Sequence, residues 1–228
     1  MRSEELALVR GWADTQDTLR RWRARPLAAV GPWVLGSLGV AALLLTATWV
    51  VALLSVPDPL VWAHAGRGGW SDFGFILYRN GLVLALHALA CVAGFMAGSA
   101  LPVVAEGYRG WWRAVHDHVG RAAMVFVGAA TLFSLTTQAY GLGLQASSLA
   151  DANGVSPGLL LVTLLPHAVP ELCALFLPLA AWMLAARRQA WDELLAATFV
   201  TTAIAVPVLI AAAAVEVWVS PHLLYFLK

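Results

Sequence analysis

Charge is scarce in this chain: Asp, Glu, Lys and Arg make up 12% of its 228 residues, about half the share of a typical soluble domain. Acidic and basic residues nearly balance, at a net charge of +1, which excludes a generally basic nucleic-acid binder. No zinc-finger spacing, glycine-rich nucleotide loop or RNA-binding signature is present, so no nucleic-acid partner is expected. Cysteine is limited to Cys91 and Cys173, both inside apolar stretches, which reads as two small buried thiols and not as a disulfide framework. The chain lacks a GxSxG nucleophile elbow and an HExxH zinc motif, and it offers no Cys and His pair with a catalytic signature. It is therefore not expected to be an enzyme, and no cofactor or metal is assigned. Lysine is almost missing as well, since 13 of the 14 basic residues are Arg, which with abundant Ala suits a GC-rich bacterial genome.

What fills the chain instead is apolar: 61% of residues are hydrophobic. Five runs, near 31–55, 81–104, 120–144, 158–186 and 194–219, reach the roughly 20 residues needed to cross about 30 Å of hydrocarbon. The expected fold is an all-α polytopic membrane bundle with five transmembrane helices and an N-terminal interfacial helix. Residues 1–30 form a cytoplasmic amphipathic segment and 31–228 one five-span domain. About 30 polar or amphipathic residues precede the first run, so that run is expected to remain as an anchor and not to act as a cleaved signal.

Arginine placement orients the bundle. Arg2, Arg10, Arg20, Arg21, Arg23 and Arg25 precede the first span, Arg109, Arg113 and Arg121 fall between the second and third, and Arg187 and Arg188 follow the fourth. Only Arg67, Arg79 and Lys228 belong to the opposite face. The positive-inside rule then puts the N-terminus in the cytoplasm and the C-terminus outside a bacterial inner membrane. Ser3, Glu4 and Glu5 make a helix start, and Leu6, Val9 and Trp12 recur at three-residue spacing. With the Arg20 to Arg25 cluster this segment reads as a helix lying on anionic lipid, or docking a partner.

An external loop is expected from Val56 to Arg79, where Trp62, Trp70, Phe73 and Tyr78 serve either a binding surface or an interfacial aromatic belt. A second, turn-rich loop is expected from Gln145 to Pro157. His116, Asp117 and His118 fall in the cytoplasmic loop, either as a metal-binding HxH or as solvated polar residues. Gly94 and Gly98 form a GxxxG-like step that permits close helix approach and offers a route to self-association.

The residues most costly to hold in hydrocarbon are His167 and Glu171, four apart in the fourth run and flanked by Pro166 and Pro170. A charge at membrane depth costs about 2.5–3.5 kcal/mol on insertion scales, so such groups face a protein interior or a wet cavity. Three readings are open: a proton relay or substrate site, a pair of metal ligands, or a buried hydrogen-bonded lock. Each proline removes a backbone donor, and Pro170 between the pair is a candidate kink. Glu216 lies near the end of the fifth run; counting residues from the external side leaves it several ångströms shallower than His167, unless tilt closes the gap. His87 on the second span and Gln138 on the third are the other intramembrane polar groups, and Asn80 is placed to cap the second span. A metal site at His167 and Glu171 would need His87, Glu216 or His222 from other helices.

These residues resemble a known family. Leu165, Pro166, His167, Ala168, Val169, Pro170, Glu171 and Leu172 resemble the Pro-His-Gly-x-x-Glu-Leu motif of the stage II sporulation protein M (SpoIIM) family of membrane proteins. Ala211 through Glu216 to Ser220 and Pro221 is similar to that family's closing span, where a Glu is followed by Ser-Pro. Asn80, entering the span with Gly94 and Gly98, resembles an earlier family position. Ala168 stands where Gly is usual, and Arg79 where a second Asn is common. The resemblance implies a non-enzymatic membrane component of a cell-envelope or membrane-remodelling assembly, with lipids and envelope proteins as partners; in the founding member, partners carry out the hydrolysis. A small transporter or permease subunit with its polar site at His167 and Glu171 is the alternative.

Overall fold

A computed structural model describes residues 7–58, 69–100 and 111–226, with side chains over 12–58, 69–98 and 125–226. The described chain is helical: α1 (Ala7–Ala24), α2 (Pro26–Leu54), α3 (Trp70–Phe95) continuing into a π-helical turn (Met96–Ala100), α4 (Trp111–Ala152), α5 (Pro157–Arg188), a 3-10 turn (Trp191–Glu193), α6 (Leu194–Trp218) and α7 (Ser220–Phe226). Five of these helices are long and apolar enough to cross a membrane.

Local chemistry sets several boundaries. α2 and α5 open on Pro26 and Pro157, where a missing N–H removes nothing the helix would have used. Ser156 caps α5 by accepting the backbone N–H of Leu159 at 3.2 Å. α4 closes with Gly154 in the left-handed region (φ 67°), and the N–H of Val155 reaches back to the carbonyl of Ala150. α5 closes in the same manner, with Gln189 (φ 57°) in the position that usually takes glycine and the N–H of Ala190 on the carbonyl of Ala185.

The expected loops are shorter than read from composition. The 56–79 connection gives way to helix at Trp70, and helix α4 runs to Ala152, well into the segment expected to be a turn-rich loop. His116, Asp117 and His118 lie on helical backbone, not in a loop. The physical reason is shared: at a membrane boundary, prolonging a helix satisfies backbone N–H and C=O groups that an open loop leaves to the solvent. Their side chains, together with Ser3 to Leu6, Trp62, Arg67, Arg109 and Lys228, lie outside the described residues.

The chain forms two compact units. The first comprises Met1–Ser37, Val83–Ala130 and Leu175–Ala205 and centres on Trp33, Leu177, Ala180, Ala181 and Ala197. Here α1 packs on protein as well as presenting arginines: Thr15 and Thr18 are buried, Trp12 meets Phe199 edge-on, Trp22 meets Trp33, and Arg21 pairs with Glu193 at 3.4 Å. Gly94 and Gly98 find their close neighbours within this unit. A Cβ at Gly94 would lie 2.7 Å from Trp182 Nε1, and one at Gly98 would run into the Trp191 ring.

The second unit comprises Leu38–Leu82, Thr131–Ala174 and Val206–Lys228, with Ala52, Ala146, Ala150 and Leu160 at its core. Gly143 lets α4 meet α2 closely, since a Cβ there would sit 2.5 Å from Val51 Cβ and 2.9 Å from the Thr48 carbonyl oxygen. Ser147 donates to the Ser55 carbonyl and Ser148 accepts from the Asp58 N–H, tying the two helices near their ends. All the residues of the polar site described next belong to this unit.

Candidate functional site

α5 continues unbroken through Pro166 and Pro170, so His167 and Glu171 project from one face of a regular helix. Pro166 and Pro170 leave the carbonyls of Val162 and Pro166 without their intrahelical donors, adding polarity to a stretch that is otherwise apolar. His167 is buried, with 6% of its surface exposed, and its Nδ1 shares a 2.7 Å hydrogen bond with Oγ of Ser220, itself buried at the start of α7. The imidazole tautomer decides which of the two donates. Glu171 Oε1 accepts a 2.9 Å hydrogen bond from Asn80 Nδ2 on α3.

Glu216, near the end of α6, completes the group. One ligand atom each from His167, Glu171 and Glu216 lie within 4.8 Å of one another. The side chains of Glu216 and His167 thus reach one cluster, the contact that residue counting alone does not imply. Arg79, beside Asn80, acts electrostatically on both carboxylates, and its guanidinium lies 5.8 Å from the centroid of the Phe75 ring. Trp218, two residues beyond Glu216, packs against Trp70 and Phe73 with ring centroids 5.0 and 5.2 Å away.

The three groups line a cavity of about 520 Å³, within the range of small-molecule sites. Its walls are largely leucine, among them Leu44, Leu142, Leu160 and Leu164, and its other polar residues are Thr48, Gln145 and Ser220. Thr48 is buried and its hydroxyl has no hydrogen-bond partner. Such a group is usually satisfied in a folded protein.

Residues 120–221 match the family model described as Stage II sporulation protein M. Over that stretch the chain is similar to the SpoIIM family. The matched segment contains His167, Glu171, Glu216, Ser220 and Pro221, so the SpoIIM region of the chain supplies all three members of the polar cluster; Asn80 lies before it. No curated protein and no solved structure matches the chain significantly. With five candidate spans, it is a multi-pass membrane protein that carries a SpoIIM-like region.

Not every polar residue singled out in the sequence joins this site. His87 belongs to the first unit, where its Nδ1 meets the Leu175 carbonyl at 2.7 Å and its ring lies 5.8 Å from Phe176. Gln138 donates to Ser134 on its own helix at 2.9 Å and does not line the cavity. Pro221 does line it, while His222 folds back onto the Trp218 carbonyl. Conversely, Arg79, Thr48 and Gln145 are parts of the site that composition alone passes over. Arg79 had a signal, being a charge directly before a long apolar run; Thr48 and Gln145 had none, because only packing decides which face of a span borders a cavity.

Proposed function

We propose that this protein belongs to the SpoIIM family and is a non-enzymatic component of a cell-envelope or membrane-remodelling assembly in the bacterial inner membrane, with a cytoplasmic N-terminus and an external C-terminus. One observation carries the reading: a largely apolar cavity lined by the clustered His167, Glu171 and Glu216. Groups this expensive to desolvate are held together to recognise something or to lock the bundle that does so. The cavity suits a guest with an apolar body and a polar end, such as an amphipathic envelope molecule or a side chain of a partner helix. The arginine distribution supports that orientation.

The test is capture of envelope partners by the full chain, before and after changing the polar cluster. The double variant His167→Ala, Glu171→Gln is expected to lose partner capture and to melt at lower temperature in detergent. Unchanged capture together with an unchanged melting temperature overturns the proposal. Orientation is read separately, from cytoplasm-active and periplasm-active reporters fused at each end.

The same cavity carries the second reading, a small transporter or permease subunit. Transporter sites of this kind are commonly built from discontinuous helices, whereas α5 is continuous through both prolines. Solute uptake into liposomes that is equal for wild type and double variant, over a range of solutes and pH gradients, removes the transporter reading.

A further inference from the structure

We infer that His167, Glu171 and Glu216 form a binding site for one divalent transition-metal ion of the zinc type, with a remaining coordination position facing the cavity. Four independent features of the second unit lead there. The first is the donor set. One imidazole and two carboxylates, with no thiolate, match the nitrogen and oxygen ligands of catalytic-type zinc sites, which keep three protein ligands and one open position.

The second is geometry. In a tetrahedral site with bonds near 2.0–2.2 Å, ligand atoms stand roughly 3.4 Å apart. The three donors already lie within 4.8 Å of one another without an ion, so side-chain rotations that draw them in by about 1.4 Å at most complete the site. The third is support from behind. Ser220 shares a hydrogen bond with Nδ1 of His167, and Asn80 holds one oxygen of Glu171. Outer-shell bonds of this type fix ring and carboxylate orientation around a metal. The fourth is Thr48, a buried hydroxyl with no partner that lines the same cavity, an unsatisfied polar group of the kind a bound guest completes.

Charge points the same way. Glu171 and Glu216 stand close together in a low-dielectric setting with Arg79 as the cation acting on both, and a divalent ion would relieve the repulsion between them. Magnesium fits less well, because it favours six oxygen ligands in near-octahedral array and keeps several of its waters. The inference goes beyond the assembly role and does not depend on it: metal binding and partner capture are measured separately, and either can fail alone.

The experiment uses the full chain purified in detergent, stripped with EDTA, then titrated with zinc chloride against a competing indicator. One equivalent is expected to bind. His167→Ala and Glu216→Gln should each weaken binding more than tenfold, and Ser220→Ala about tenfold through loss of orientation. A His116→Ala, His118→Ala variant should bind as wild type does. Cobalt substitution, followed by X-ray absorption on the wild-type protein, gives a reading that needs no variant: one imidazole with oxygen ligands and no sulfur supports the site. Binding of less than one equivalent by wild type, binding unchanged in the His167 and Glu216 variants, loss of binding on changing His116 and His118, or sulfur in the coordination shell overturns it.

Discussion

Asn80 and Ser220 show how much of the polar site rests on single hydrogen bonds. Each reaches from another helix to one of the two costly residues on α5, at 2.9 Å to Glu171 and 2.7 Å to His167. Truncating either to Ala leaves a buried or half-buried acceptor or donor without its partner, which costs about 1–3 kcal/mol. Ser220→Ala and Asn80→Ala should therefore each lower the melting temperature in detergent, whereas Gln138→Ala, whose partner is on its own helix, should leave it nearly unchanged. The sequence made His167 and Glu171 conspicuous because they interrupt an apolar run, and Thr136 and Thr137 could be assigned in advance to the carbonyls of Leu132 and Phe133, since those bonds are local. It could not show that Asn80, which reads naturally as a helix cap, turns to Glu171 ninety-one residues away. Nor could it separate His87, satisfied by a carbonyl in its own core, from His167.

At the scale of elements, the long apolar runs made the five spans legible, while their ends were not. α4 has 42 residues and α5 has 32, so at 1.5 Å per residue they extend about 63 and 48 Å, far beyond the roughly 30 Å hydrocarbon slab. A helix end is then no marker of the membrane boundary, and depths counted from it drift. Counted in that way Glu216 and His167 fall at different levels, yet their side chains gather in one cluster. Close packing is also invisible in composition: Gly141 and Gly143 are both helical glycines two residues apart, but only Gly143 has a neighbour within reach of a Cβ. Gly143→Ala should destabilise by about 1–3 kcal/mol through overpacking against Val51 and the Thr48 backbone. Gly141→Ala, with open space around it, should be neutral or stabilising by up to about 1 kcal/mol from reduced backbone entropy. Thermal unfolding of the pair gives opposite signs if the α2 and α4 contact is as described.

For the molecule as a whole, the all-α membrane class follows from hydropathy and chain length, because lipid permits few other ways to satisfy a backbone. The role of α1 does not follow so directly. Its arginines suggested a helix on lipid, but the buried Thr15 and Thr18 and the Trp12 and Trp22 contacts make it part of the first unit. Deleting residues 1–25 should therefore lower the melting temperature by several degrees even in neutral detergent, where no anionic lipid is present. Changing Arg21 to Ala alone should do little, because its ion pair with Glu193 is substantially solvent-exposed and such pairs contribute about 0–1 kcal/mol. The Ser220 bond also sets an order for biosynthesis. Asn80 is already in place when Glu171 leaves the ribosome, but His167 must wait for 53 further residues before its partner exists, roughly 3–10 s at bacterial rates of elongation. During that interval α5 enters the bilayer with an imidazole whose Ser220 partner has yet to be made, so the polar site closes only as the last helices arrive.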